Sequence, residues 1–239
     1  MRHNNCNDKI ETSCERFDMS KGILISFEGL DKVGKSTQVT LLIDHLKAKK
    51  YAPILVREPG SSEVGEKVRT ILADPALRGK ISPLCEFFLY SASRAQLVSE
   101  KIAPCLARGE IVVADRYYDS STAYQGFGRG IDLDFIARVN LMASNGLVPD
   151  LTILLYVENF TASSKKSANR FAPSLFDDRL EQEFLEFRKK VQHGFLEIAS
   201  KEKERFLVIE ASEMRGQISR KIASQVEKLL KENNKRPSK

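Results

Sequence analysis

Gly29, Gly34, Lys35 and Ser36 stand at the spacing G-x-x-x-x-G-K-S, between an apolar run, Ile23 to Phe27, and a helix-spaced apolar set, Val39, Leu42, Ile43 and Leu46. That spacing suits a polyphosphate. The glycines let the backbone wrap a phosphate chain without Cβ clashes and aim N–H groups at its oxygens. The loop opens a helix, so the positive end of the helix dipole faces the anion. Lys35 can then reach β- and γ-phosphates, while the Ser36 hydroxyl is placed to ligate Mg²⁺. The ATP-binding stretch on this reading is Gly29, Leu30, Asp31, Lys32, Val33, Gly34, Lys35, Ser36 and Thr37. Four such positions should match by chance in a chain this long about one time in a hundred. Strand and helix flanks are the context that makes the motif credible.

The elements that must position this loop alternate between strand and helix. Pro53 to Arg57 reads as a second short buried strand running into Glu58-Pro59-Gly60. Ser61 or Ser62 can cap a helix carrying Val64, Val68, Ile71 and Leu72. A long helical pattern runs from about Leu84 to Leu106, with Pro104 expected to bend or end it. Ile111 to Asp115 is a third strand, and an acid at its C-terminal end suggests a Walker-B-like position near Mg²⁺. A helix from about Leu133 to Ala143 precedes a fourth strand, Leu151 to Val157. Residues 158–176 read as a mobile loop, followed by a charged helix from about Asp177 to Lys203, a fifth strand from Phe206 to Glu210 and a helix from Gln217 to Leu230. The alternation implies an α/β fold with a parallel sheet covered by helices on both faces.

Composition narrows the classes. At 239 residues the chain suits one α/β domain, taken here as 19–232. No apolar run approaches the ~20 residues of a membrane span, so no membrane partner is expected. Cys6, Cys14, Cys85 and Cys105 show no C-x-x-C spacing and read as reduced thiols of a cytoplasmic protein. The net charge is +6, but half of it lies in Lys231 to Lys239, with four bases and one acid; 233–239 is a basic tail. The remainder suits a protein holding two phosphorylated ligands rather than a nucleic-acid binder. Residues 1–18, with three bases and four acids, match neither a signal nor a transit peptide. They read as a disordered extension, with Met19 as an alternative start.

Several motifs follow the loop in order: V-R-E-P-G, S-A-S-R-A-Q, A-D-R-Y-Y-D-S-S-T-A-Y-Q-G-F-G-R-G, P-D-L-T-I-L-L-Y-V and D-D-R-L-E-Q-E. With F-E-G-L-D-K-V-G-K-S-T-Q before them, the set resembles the bacterial branch of the thymidylate kinases from about Lys21 to Leu230. A P-loop alone is unspecific; the ordered set carries the resemblance. It implies a homodimeric nucleoside monophosphate kinase with a five-stranded parallel sheet, making dTDP from dTMP and ATP on the route to dTTP.

The resemblance also assigns roles. It brings Arg116 and Arg69 to the dTMP phosphate, with Arg57 near the same loop. Tyr90 and Arg94, at i and i+4 on one helix face, become the ring that stacks on thymine and a donor to a base carbonyl. Most members have Phe where this chain has Tyr90. Asp31 would accept from the 3′-hydroxyl, Tyr124 would fill the space of a ribose 2′-hydroxyl, and Gln125 beside it joins the substrate set. Residues 158–178 become a LID over ATP, with Lys165, Lys166, Arg170 and Arg179 as its charges. The chain combines a basic P-loop residue, Lys32, with these LID bases, so Lys32 is expected to supply part of the catalytic charge and Arg170 or Arg179 the rest. The alternatives are another nucleoside monophosphate kinase, a P-loop switch, or a basic nucleic-acid-binding protein. A switch needs no second-substrate pocket, so Tyr90, Arg94, Arg116 and Tyr124 argue against it.

Overall fold

The computed structural model describes residues 22–158 and 185–233. At its centre is β1, Ile23–Gly29, with all seven residues buried. A strand covered on both faces needs a continuous apolar run rather than alternation, and Ile23-Leu24-Ile25 supplies it. β1 lies between β3, Ile111–Asp115, and β4, Leu151–Tyr156. β2, Ile54–Arg57, flanks β3, and β5, Phe206–Glu210, flanks β4. Every pairing is parallel, in the order β2-β3-β1-β4-β5. The expected five-stranded α/β architecture is the one observed.

Two layers of helix cover the sheet. Ile23, Ile25 and Phe27 face a core shared with α1, Lys35–Ala48, and α8, Arg215–Asn233. Leu24 faces the other side, among Leu97, Ile102 and Leu106. Those three belong to one helical run: α3, Pro83–Leu97, a π-helical stretch Val98–Ile102, and α4, Ala103–Ala107. Around Pro104, where a bend or an end is expected, the α-helix gives way to the π turn just upstream and the run ends at Ala107, three residues beyond the proline. Proline lacks an N–H and crowds the carbonyl four residues back; the wider π turn just upstream accommodates both. The remaining helices are α2, Glu63–Ala73; α5, Tyr118–Ser121; α6, Leu133–Ala143; and α7, Leu185–Lys201. A second π-helical stretch, Thr122–Gly128, joins α5 to α6. Ser62, not Ser61, caps α2, accepting from the Gly65 N–H at 3.0 Å.

One strand departs from its reading. β2 is an edge strand in which Val56 alone is buried, while Leu55 is 52% exposed. The edge position explains the difference, because only one side of β2 meets another strand.

The register decides where the site lies. Phe27 and Arg57 both pair with Asp115, so the segments leaving β1, β2 and β3 emerge side by side at the C-terminal edge. Ligands of open α/β sheets bind at that edge, where strand order reverses. Among the described residues no helix is long and apolar enough to cross a membrane.

Candidate functional site

The loop after β1 is built as the spacing requires. Gly29 has φ +129, and a Cβ there would lie 2.1 Å from the Leu155 carbonyl oxygen, so no side chain fits. Gly34, in the left-handed region, is the N-cap of α1. Leu30 is buried and Val33 packs on the core, fixing the loop's base. Lys32 is exposed at φ 65, and Thr37 is half-buried in the first turn of α1. Lys35 is folded back onto its own loop, donating to the Gly29 and Leu30 carbonyls at 3.1 and 2.5 Å. Burial, reinforced by repulsion from Arg116, lowers its pKa to about 8. The carboxylates of Asp31, Asp115 and Glu28 pull in the opposite sense without cancelling that shift.

Ser36 and Asp115 meet at the head of the loop, Oγ donating to Oδ2 at 3.3 Å. Among the described residues no group of three or more His, Cys, Asp or Glu could hold a metal. A hydroxyl and a carboxylate are hard oxygen donors, and Mg²⁺ commonly takes one or two such protein ligands, with phosphates and waters completing the shell. The pair fits that ion.

Arg116 ties the loop to β3. It has φ 72. Its Nη1 donates to the Gly29 carbonyl and to Ser120 Oγ, both at 2.9 Å, and its Nη2 donates to Asp31 Oδ1. Its guanidinium carbon lies 5.3 Å from the centre of the Tyr124 ring. Burial would raise the Asp31 pKa, but the charges of Arg116 and Lys35 outweigh it and hold it below the usual carboxylate range. Arg116, Asp31, Lys35 and Tyr124 thus form one cluster on the P-loop.

Arg57 and Arg69 approach from the β2–α2 side. Arg57 donates to both carboxylate oxygens of Glu66, at 2.9 and 3.1 Å, and Arg69 to the Pro59 carbonyl at 3.1 Å. Burial and the neighbouring Arg57 lower the Arg69 pKa, and Tyr90 and Asp115 act on it in the opposite sense. The two arginines therefore lie within electrostatic reach of each other and of the β3 end. Glu66 lies between them, paired with Arg57 and raising the Arg69 pKa as well.

Arg94 lies deeper, 1% exposed. Each of its nitrogens holds a protein acceptor: Nε bonds Glu58, Nη1 bonds Asn140 Oδ1 at 2.7 Å, and Nη2 bonds Ser121 Oγ at 2.7 Å. Burial raises the Glu58 pKa against the pull of Arg94. Gln125 is turned onto a different partner, Glu86 Oε1, at 2.9 Å. Arg170 and Arg179 lie outside the described residues, as do Lys165, Lys166 and almost all of the LID stretch.

Sequence reading missed several residues here. Glu28, Glu58, Ser120, Ser121 and Asn140 hold the arginines in place. Glu28 carried a signal, an acid inside an apolar strand. Arg188, on α7, donates to the Asp31 carbonyl at 3.4 Å; nothing in its charged helix distinguishes it.

Comparison with known proteins points the same way. A profile described as thymidylate kinase matches residues 27–222. The chain is 42% identical over 211 residues to the thymidylate kinase of Caldanaerobacter subterraneus subsp. tengcongensis, with 88% of this chain and 98% of that one aligned. It is 43% identical over 204 residues to the thymidylate kinase of Deinococcus radiodurans, covering 85% of this chain and 96% of that one. A crystal structure of thymidylate kinase from Ehrlichia chaffeensis aligns with a TM-score of 0.69 at 28% identity, over 86% of this chain and 99% of that one. Identity at this level, sustained along nearly the whole of each relative, means that the chain belongs to the thymidylate kinase family.

Proposed function

We propose that this chain transfers the γ-phosphoryl group of ATP to the 5′-phosphate of dTMP, giving dTDP and ADP. The observation that carries the reading is the Arg116–Asp31 pair on the P-loop, with Arg116 directly after Asp115. Each partner balances the other's charge where the two substrates must meet. dTMP replaces both halves of the pair: its phosphate takes Arg116, and its 3′-hydroxyl donates to Asp31. Phosphoryl transfer needs two anions held end to end, so catalysis is mostly positioning and cation supply. Lys35 serves the donor phosphates, and Arg57 and Arg69 guide the acceptor. Tyr90 stacks on the base, and Arg94, held by Glu58, Asn140 and Ser121, donates to it from an η N–H beyond those bonds. Tyr124 occupies the space a 2′-hydroxyl would need. Mg²⁺, held by Ser36 and Asp115 with the ATP phosphates, would neutralise charge on the transferring group. Lys32, with Arg170 and Arg179, completes the charge supply.

The same reading makes the protein a cytoplasmic homodimer. Support for the dimer comes from exposed apolar side chains on three helices: Val64 and Ile71 of α2, Leu84 and Phe88 of α3, and Leu141 and Met142 of α6. The function is tested by ADP release with ATP, Mg²⁺ and each nucleoside monophosphate in turn. dTMP should be clearly the best acceptor and ribo-TMP poor; equal turnover of dTMP, CMP and GMP would overturn the assignment.

A further inference from the structure

Glu28 is fully buried near the end of β1, and both its oxygens are engaged within four residues of Arg116. Oε1 accepts the Tyr117 N–H at 2.8 Å, and Oε2 accepts the Ser120 hydroxyl at 2.5 Å. The same Ser120 oxygen accepts from Arg116 Nη1, so a chain of two hydrogen bonds runs from Glu28 to the guanidinium. Oε2 also lies 4.0 Å from Arg116 Nη1. On the backbone side, the Arg116 N–H donates to the Phe27 carbonyl at 3.1 Å. Arg116 is therefore pinned on either side of its Cα and at its tip. It needs this. A non-glycine residue at φ 72 persists only where its surroundings over-determine it.

We propose that Glu28 is a positioning residue for the acceptor substrate: by holding Tyr117 N–H and Ser120 Oγ, it keeps Arg116 in the backbone and side-chain conformation that grips the dTMP phosphate. The inference rests on the reading of Arg116 as the phosphate ligand. Glu28 touches neither substrate. Burial, and then the neighbouring carboxylate of Asp119, push the Glu28 pKa up to about 8, against the pull of Arg116 and Ser120. Asp119 is itself held by Arg205 through two hydrogen bonds of 2.8 Å, so Asp119 does not compete for Arg116.

The test measures KM for each substrate and melting temperature in Glu28→Leu, Glu28→Gln and Ser120→Ala. Leucine matches the shape but accepts no hydrogen bond, so KM for dTMP should rise about tenfold or more (~1.4 kcal/mol) while KM for ATP changes less than about twofold. Glutamine has an oxygen for Tyr117 and an amide for Ser120, so Glu28→Gln should recover most of the loss. Should Glu28→Leu fail to fold, Ser120→Ala reads the same chain from its half-exposed middle, with KM for dTMP up about threefold and the melting temperature unchanged. An unchanged KM for dTMP in Ser120→Ala, or a rise shared equally with ATP in Glu28→Leu, overturns the inference. Arg116→Gln separates the two layers. If it leaves KM for dTMP unchanged, the Arg116 reading fails and takes this inference with it. If it raises KM and Glu28→Leu adds the same factor again on top, Glu28 acts on something other than Arg116, and the inference alone fails.

Discussion

Lys35 shows how one side chain can store the requirement for its ligand. Its ammonium is buried against two carbonyls and repelled by Arg116, and its pKa falls to about 8. On the proposed reading ATP would bring further countercharge, and so would bind best to the protonated lysine. Raising the pH through about 8 removes that proton from the free enzyme, and affinity for ATP should then fall, approaching tenfold per pH unit. Binding titrations across pH 7 to 10 check this, and a Kd flat over that range would refute it. Lys35→Ala should abolish the pH dependence and lower kcat by orders of magnitude while the fold survives, because the lysine acts on the transferring phosphate. Near-normal turnover by a folded variant would exclude the mechanism. At this scale the sequence was legible where spacing carries the chemistry. Gly29, Gly34, Lys35 and Ser36 are a fixed pattern, and strand-end Asp115 lies where a strand reading puts it. What holds the arginines was not legible. Glu58 and Asn140 reach Arg94 from positions 36 residues before it and 46 after it in the chain, and no local pattern encodes a partner at that separation.

Between elements, the contact that braces the site is α7 against the π-helical stretch Thr122–Gly128, which carries Tyr124. Two glycines make it possible. A Cβ at Gly128 would lie 2.8 Å from Phe187, and one at Gly194 would lie 2.6 Å from Cγ of Phe127. Gly194 is interior to α7, so helix propensity favours alanine there by ~1 kcal/mol. The clash is with the root of the Phe127 ring, which cannot swing away as a flexible tip would, and overpacking costs about 1–3 kcal/mol. Gly194→Ala should therefore destabilise the protein on balance, lowering the melting temperature by a few degrees for a chain of this size; a rise would show that the ring relocates freely. Periodicity located α6 and β5 to the residue, because a long amphipathic pattern and a short β-branched run are strong signals. It gave no helix over 118–128. There the pattern Y-D-S-S-T-A-Y-Q-G-F-G has two glycines, and its widened turns break the 3.6-residue spacing on which such readings depend.

At the scale of the molecule, alternating strands and helices announced a parallel sheet, but not that β2 would lie on its edge, since nothing in Ile54-Leu55-Val56 distinguishes an edge from a centre. The same limit applies to the helix faces. α3 buries Phe87, Ser91 and Arg94 on one side and leaves Leu84 and Phe88 exposed at 45% and 48% on the other. A groove lined by Leu84, Cys85, Phe88, Leu89 and Ala92 runs along that outer face. The helix that carries Tyr90 and Arg94 is therefore the one whose outer face the proposed second subunit would cover. On the proposed dimer and base site, that geometry would link assembly to substrate. Ordering α3 from outside should hold Tyr90 and Arg94 in place, whereas the P-loop, carried between β1 and α1, should depend on α3 much less. Phe88→Glu puts a charge where apolar surface must be buried, which an interface core tolerates poorly. It should give a monomer by light scattering, with KM for dTMP raised several-fold and the affinity for ATP nearly unchanged. A monomeric variant with wild-type KM for dTMP would break the link between assembly and the base site, and a Phe88→Glu protein that remains dimeric would move the interface off α3 altogether.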